Sequence, residues 1–151
     1  LPTIENLLQR ADNIVAVGTT SVRTLESLAA LAWRIRCEGS PASERVVGQW
    51  ELYDIPQEFS GREVLQTIAE YMRKNGVEQL KAATQIMITP LGYRFRVVRY
   101  IITNFHQPKS TLLLLVGAYV GDDWHRIYDY ALAHDFRFLS YGDSSLLKVA
   151  R

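Results

Sequence analysis

Apolar residues along this chain alternate between strand-like and helix-like spacing. The run IVAVGT, residues 14–19, is short, rich in β-branched residues and ends in glycine and threonine, which predicts a strand followed by a turn. The next segment, SVRTLESLAALAWRIR, has an apolar stripe on one helical face, formed by Val22, Leu25, Ala29 and Ala32. Together the two segments predict a strand–turn–helix unit.

Further elements follow from the same periodicity and from capping signals. The first residues, LPTIENLLQRAD, predict a helix, and Ser60 with Glu63 matches a capping box that opens a helix ending near Asn75 and Gly76. Residues 38–59 predict a long connection with a strand within QWELYDI. The segment 84–103, TQIMITPLGYRFRVVRYIIT, predicts a hairpin around a Pro-Leu-Gly turn.

The last third of the chain predicts two helices and a strand. The run LLLLVGAYV, residues 112–120, is typical of a buried helix, and an amphipathic helix follows it over the region of Trp124 to Ala131. The segment FRFLSYGD, residues 136–143, predicts a strand that leads into a Gly-Asp turn. We therefore expect one α/β domain over residues 1–151, a mixed sheet or partial barrel with packed helices.

Composition narrows the class of protein without deciding it. The 151 residues, 48% of them apolar, suffice for one domain with a core, and a net charge of +1 gives no overall attraction for nucleic acid. The single cysteine, Cys37, cannot form an internal disulfide, and no long apolar run or leader is present. We expect a cytoplasmic protein without a membrane span, and the spacing of the three histidines predicts no metal site.

The segment TNFHQPKST, residues 103–111, carries the densest group of polar side chains beside an apolar helix. Ser110 is a candidate cap, and Lys109 stands next to free N–H groups of the first turn, an arrangement that suits a carboxylate or phosphate. His106 has the side chain best suited to proton transfer near neutral pH. An ordinary capped helix after a loop explains the same residues.

Two other segments offer candidate binding groups. GTTSVRT, residues 18–24, lies where a strand ends and a helix begins, with the hydroxyls of Thr19 and Thr20 and the guanidinium of Arg23 as candidate ligand contacts. SYGDSSLL, residues 140–147, contains Tyr141 and Asp143; the aspartate is suited to bind a sugar hydroxyl or an amine, to act as a base, or to hold the turn.

Positive and aromatic residues also alternate in the predicted hairpin. Arg94, Arg96 and Arg99 are interleaved with Tyr93, Phe95 and Tyr100. Such a surface is suited to an RNA backbone, although solvated arginines on a hairpin are common.

Four segments in this order resemble one family. AVGTTSVRTLES, GYRF, ITNFHQPKSTLLLLVGAYVG and FRFLSYGDSSLL are similar to the carboxyl-terminal half of the S-adenosylmethionine:tRNA ribosyltransferase-isomerases of queuosine biosynthesis, over residues 14–38 and 84–147. The resemblance implies transfer and isomerisation of the ribosyl group of the co-substrate S-adenosylmethionine onto 7-aminomethyl-7-deazaguanine in tRNA. The products are epoxyqueuosine, adenine and methionine.

The resemblance also implies a fold and a set of roles. The family has a barrel-like α/β main domain with a smaller β-barrel insert, so this chain is expected to be the carboxyl-terminal fragment of a longer two-domain enzyme, inactive without the missing amino-terminal part. His106 and Asp143 are expected to transfer protons, and Arg23 or Lys109 to hold the methionine carboxylate. The remaining substrate contacts expected are Thr19, Thr20, Asn104, Ser110 and Tyr141.

Some residues depart from the family pattern. Residues 44–76 read as an inserted segment, Gln107 stands where leucine is typical, and Arg99 falls near an expected aspartate. SYGDSSLL replaces SYGDAMLI. These departures leave two alternatives open: an S-adenosylmethionine-using enzyme with another acceptor, or a non-catalytic RNA- or nucleotide-binding module.

Overall fold

A computed structural model of the chain describes residues 1–41 and 46–149. Within these residues, no helix is both long enough and apolar enough to cross a membrane. The elements in chain order are α1 (Pro2–Gln9), β1 (Val15–Val17), α2 (Thr19–Glu38), β2 (Val46–Val47), a 3-10 turn (Glu51–Tyr53), α3 (Gly61–Lys74), β3 (Ala83–Thr84), β4 (Tyr100–Asn104), α4 (Thr111–Val120), α5 (Asp123–Ala133) and β5 (Ser144–Lys148).

The main sheet has three strands in the order β1-β4-β5. β1 runs parallel to β4, while β5 runs antiparallel to it. The row formed by Ala16, Ile101 and Leu147 is buried under the helices. A second, two-stranded sheet pairs β2 with β3 in parallel. The expectation of an α/β fold with a mixed sheet and packed helices is confirmed.

Helices α2 and α3 pack against each other, and their sequences explain how closely they approach. α2 presents small side chains at Ala29 and Ala32 to the core, which allows close approach, while α3 contributes Leu65 and Ile68. The predicted capping box at the start of α3 is present. The Ser60 side chain accepts from the backbone N–H of Glu63, and the glutamate side chain accepts from the backbone N–H of Ser60.

A fully buried carboxylate connects α2 to the segment that precedes β4. Both oxygens of Glu26 accept hydrogen bonds: Oε1 from the backbone N–H groups of Val97 (2.9 Å) and Val98 (2.8 Å), and Oε2 from the Arg96 backbone (3.0 Å) and the Tyr93 hydroxyl (2.7 Å). Burial raises the pKa of Tyr93 well above its ordinary value, and the adjacent carboxylate adds to this, so the hydroxyl stays a donor.

The predicted hairpin over residues 84–103 is wrong, although its Pro-Leu-Gly turn forms. β3 pairs with β2, and β4 pairs with β1 and β5. The N–H groups of Gln85 and Met87 bond to the carbonyls of Val47 and Gln49, while those of residues 96–98 bond to the Glu26 carboxylate. Because each side of the turn has a distant partner, the two sides do not pair with each other.

Two other predicted strands are displaced along the chain. QWELYDI contains the 3-10 turn Glu51–Tyr53, and the strand of this region is Val46–Val47, just before it. FRFLSYGD forms a compact loop, in which the N–H of Asp143 bonds to the carbonyl of Arg137 at 2.8 Å, and the strand β5 follows that loop. A Cβ on Gly142 would lie 2.3 Å from the Arg137 carbonyl oxygen, so the loop closes tightly only with glycine there.

The substitution Glu26→Gln tests the importance of the buried carboxylate. Glutamine keeps one acceptor oxygen. Its NH2 group replaces the other carboxylate oxygen and cannot accept from the backbone N–H that this oxygen served. We expect a loss of about 3 kcal/mol in the free energy of unfolding, because buried donors lose their acceptor. Chemical denaturation measures the change. Glu38→Gln, on the exposed last residue of the same helix, is the control and should change it by less than about 0.5 kcal/mol; equal effects of the two substitutions would contradict the assignment.

Candidate functional site

Three polar segments meet at one edge of the main sheet. The parallel strands β1 and β4 end there, in register at Val17 and Ile102, and the antiparallel β5 begins there with Ser144 opposite Asn104. The segments 18–24, 103–111 and 140–147 therefore share this edge, which we call the carboxyl edge. Ligands of open α/β sheets bind outside the carboxyl ends of the strands.

The start of α2 is open to a ligand at this edge. Gly18 is the N-cap, with φ of 85°, and no side chain caps the helix. The backbone N–H of Gly18 donates to the carbonyl of Ile102 at 2.8 Å, which fixes the start of α2 against β4. Thr19 is half-buried and Thr20 exposed, and no described residue bonds to either hydroxyl. Free amide groups and hydroxyls together suit an anion or a sugar.

Arg23 lies on the next turn of α2, and part of its guanidinium bonds to the backbone of another segment. Its Nη2 donates to the carbonyl of Ile86 at 2.8 Å, and its buried Nε has no hydrogen-bond partner among the described residues. The side chain thus fixes the segment that follows β3. Whether it also contacts a carboxylate stays a prediction.

Asn104 connects the loops that precede β5 and follow β4. Its Nδ2 lies 3.2 Å from the carbonyl oxygen of Gly142 and 3.3 Å from Oγ of Ser144. The N–H of Leu139 donates to the carbonyl of Phe105 at 2.9 Å. These contacts bring the TNFH and SYGD segments together, as a shared site requires.

His106 is held by two neighbours. Its Nε2 lies 2.9 Å from Oγ1 of Thr103, and its backbone N–H donates to the Tyr128 hydroxyl on α5 at 3.0 Å. Burial lowers the pKa of the imidazole from its ordinary value of 6.5. The neutral form, which accepts a proton, therefore predominates at neutral pH.

Ser110 and Lys109 occupy the start of α4 as expected. Ser110 is the N-cap, and its Oγ accepts from the backbone N–H of Leu113 at 3.2 Å. Lys109 has φ of 63°, unusual for a residue with a side chain, and it is exposed. Both residues border a cavity of about 220 Å³, whose apolar walls include Pro90 and Trp124.

Asp143 and Tyr141 lie in the loop before β5. Oδ2 of Asp143 accepts from the backbone N–H of Arg137 at 2.7 Å, and Oδ1 lies 3.5 Å from the Arg137 guanidinium. The backbone hydrogen bond, more than the guanidinium, lowers the pKa of this carboxyl. The aspartate thus holds the turn. The ring of Tyr141 is 97% exposed at the tip of the loop.

The predicted hairpin, which would have offered an arginine–aromatic surface to RNA, does not form. Arg96 is buried, with Nη2 donating to the carbonyl of Ile55 at 2.8 Å, and Tyr93 and Phe95 pack in the core. Arg94 is exposed and Arg99 half-buried. An arginine–aromatic surface on this segment is therefore absent. No group of three or more His, Cys, Asp or Glu residues suited to a metal occurs within residues 1–41 and 46–149.

The prediction overlooked three residues that hold the site. Glu26 stands on the buried stripe of α2, four residues after Val22, and an acidic residue in an apolar stripe is a signal for a buried hydrogen-bonded group. Thr103 and Tyr128 position His106. No sequence pattern marks these two hydroxyls as contacts of His106. Tyr128 in particular has the spacing of any other residue of an amphipathic helix.

A separate groove of about 440 Å³ lies at the other end of α2, bordered by Leu31, Tyr71 and Leu80. Leu31 is twelve residues along the helix from Thr19, or about 18 Å at 1.5 Å per residue. This groove lacks the open helix start and the polar segments of the carboxyl edge.

The sheet and its polar edge define an α/β protein with a candidate ligand site outside the carboxyl ends of its strands. The sequence pattern of the queuosine biosynthesis protein family matches residues 1–147. The chain belongs to that family. The matched range includes residues 44–76, which we expected to be an insertion.

Individual relatives agree with this membership. Proteins named S-adenosylmethionine:tRNA ribosyltransferase-isomerase from Brucella ovis and Brucella suis are each 37% identical over 141 residues, 93% of this chain and 27% of theirs. The crystal structure of an S-adenosylmethionine tRNA ribosyltransferase from Thermotoga maritima superposes with a TM-score of 0.55 and 28% identity, covering 96% of this chain and 36% of that one. The chain thus spans about a quarter to a third of the length of these relatives.

The environment of His106 predicts a measurable titration. Its imidazole should titrate below pH 6.5 in the folded protein, because burial disfavours the charged form. As pH falls, the His106 imidazole is protonated in the unfolded chain before it is protonated in the folded protein. The folded state therefore loses stability as pH falls below 6.5. NMR of the histidine ring protons gives the midpoint, and denaturation of His106→Asn at several pH values should show a smaller loss. A midpoint at or above 6.5 would contradict this environment.

Proposed function

We propose that this chain is part of a longer enzyme that transfers and isomerises the ribosyl group of S-adenosylmethionine onto 7-aminomethyl-7-deazaguanine in tRNA. The products are epoxyqueuosine, adenine and methionine. The observation that carries the proposal is the meeting of the GTT, TNFH-PKST and SYGD segments at the carboxyl edge. The names of the relatives support the substrates, S-adenosylmethionine and tRNA.

The start of α2 and the start of α4 supply groups for the amino acid end of S-adenosylmethionine. The uncapped amide groups after Gly18 favour a carboxylate, and the exposed ammonium of Lys109 has no ion-pair partner among the described residues. Ser110, with Oγ engaged in the cap of α4, follows Lys109 directly in the chain. Arg23 remains a second candidate for the carboxylate through Nη1, since its Nη2 donates to the Ile86 carbonyl and its Nε is buried.

The ribosyl group requires hydroxyl partners and an apolar wall. Thr19 and Thr20 offer hydroxyls that no described residue bonds, and Asn104, whose Nδ2 contacts Gly142 and Ser144, offers its amide oxygen at the same edge. The cavity beside Lys109, walled by Trp124, is suited to the adenine or the methionine chain. No metal is assigned a part in this binding.

Two proton transfers accompany the reaction. One proton leaves the carbon next to the sulfonium, and one joins the departing adenine. His106 is suited to accept the first proton because its lowered pKa keeps the imidazole neutral. Asp143 is a weaker candidate for a base, since its carboxylate already accepts from the Arg137 backbone and its pKa is lowered.

The tRNA side of the site is less defined. Tyr141 projects its ring from a loop held by Asp143, and Arg137 of the same loop is exposed. An exposed aromatic ring is suited to stack on an unpaired base, and a cation in the same loop is suited to a phosphate. Such an enzyme acts where tRNA is, in the cytoplasm, and the exposed unpaired thiol of Cys37 agrees with a reducing compartment.

The role of His106 is tested in the longer protein by adenine release from S-adenosylmethionine. His106→Ala should reduce the rate by about 10²-fold to 10⁴-fold, the range for loss of a general acid or base. His134→Ala, at the exposed end of α5, is the matched control and should leave the rate unchanged. Adenine release should depend on tRNA carrying the deazaguanine.

Three results would count against the proposal. Adenine release at the full rate in His106→Ala would remove the proton-transfer role. Release without the modified tRNA would favour another acceptor. Salt-sensitive RNA binding with no adenine would favour a binding module.

A further inference from the structure

The two ring nitrogens of His106 have different surroundings. Nε2 lies 2.9 Å from Oγ1 of Thr103, whereas Nδ1 has no hydrogen-bond partner among the described residues. The histidine is half-buried, so its ring is not sealed inside the core. One nitrogen is therefore held by the protein, and the other is available to a ligand or to water.

The hydroxyl that contacts Nε2 belongs to a rigid part of the fold. Thr103 is buried on β4, where it pairs with Ser145 of β5, and its carbonyl also accepts from the Ser145 hydroxyl at 3.2 Å. The Tyr128 hydroxyl on α5 accepts from the backbone N–H of His106. Because one contact comes from a strand and the other from a helix, the fold sets the orientation of the ring.

The contact at Nε2 permits two positions for the single ring proton of a neutral imidazole, since a hydroxyl both donates and accepts. If Thr103 donates to Nε2, the ring proton is on Nδ1, and no lone pair of the ring is free. If Nε2–H donates to Thr103, Nδ1 keeps its lone pair. Only the second arrangement places a base at the available nitrogen.

We propose that Thr103 holds neutral His106 with the ring proton on Nε2, which makes Nδ1 the atom that accepts a proton in the reaction. The inference rests on the proposed function and names the reacting atom of its base. The C–H bond next to the sulfonium breaks, its electron pair stays on the carbon, and an N–H bond forms at Nδ1. Nε2–H donates to Thr103 before and after this step, so the ring keeps its orientation. Thr103 is a positioning residue, since it acts through His106.

NMR of the longer protein, labelled with nitrogen-15 in its histidines, locates the ring proton. Spectra are recorded at about pH 8.5, about two units above the ordinary pKa of histidine. His134 is the internal reference: its Nδ1 lies 2.8 Å from the Tyr130 carbonyl, which only accepts, so this ring carries a proton on Nδ1. We expect the opposite pattern at His106, with the proton on Nε2. In Thr103→Val the His106 signals should shift towards a mixture of both forms, and those of His134 should not change.

The rate of adenine release separates the Thr103 hydroxyl from the bulk of the side chain. Thr103→Val keeps the size and removes the hydroxyl, and Thr103→Ser keeps the hydroxyl. We expect Thr103→Val to lower kcat about tenfold, the effect of losing one hydrogen bond to the ring. KM should change little, because the hydroxyl contacts the histidine and not the substrate. Thr103→Ser should retain most of the rate.

Three results would overturn the inference: a ring proton on Nδ1 of His106, an unchanged rate and ring pattern in Thr103→Val, or equal losses of rate in Thr103→Ser and Thr103→Val. Failure of the proposed function gives a different result. A proton on Nε2 that depends on Thr103, in a longer protein that releases no adenine, would support the arrangement of the ring and refute the proposed function.

Discussion

The rest of this structure depends on the hydrogen bonds that the buried carboxylate of Glu26 accepts. It is fully buried, and the contacts that hold it are hydrogen bonds from three backbone N–H groups and the Tyr93 hydroxyl. A buried charge is tolerated only where such donors replace water. The carboxylate thereby takes the place of a neighbouring strand for residues 96–98, and it fixes the path of the chain into β4.

This connection has a direct consequence for the site. Glu26 lies on α2, whose first turn begins at the carboxyl edge, and residues 96–98 lead into β4, whose last residues carry the TNFH segment. A single buried group therefore sets the position of one site segment relative to another. Gly61 adds to the constraint, since a Cβ there would lie 2.0 Å from the Arg96 carbonyl oxygen, and α3 begins directly against the same segment.

The sequence predicted the features that depend on residues close together in the chain. The helices follow from apolar stripes and from caps such as Ser60 and Ser110, whose effects act within one turn. The position of the GTT segment between a strand and a helix was predicted in the same way, whereas the arrival of the SYGD segment at the same edge depends on the antiparallel pairing of β5 with β4. The hydrogen-bond partners of residues 84–99 could not be predicted from local patterns. Some of these partners belong to Glu26, about 70 residues earlier in the chain, and others to the β2 region.

Hydrogen exchange of the longer protein with and without S-adenosylmethionine tests most directly whether the carboxyl edge is one binding site. We expect the ligand to slow amide exchange in residues 17–21, 104–111 and 140–145 together, because these segments surround the same edge. Protection confined to the groove at Leu31, Tyr71 and Leu80, with exchange at the carboxyl edge unchanged, would contradict the account.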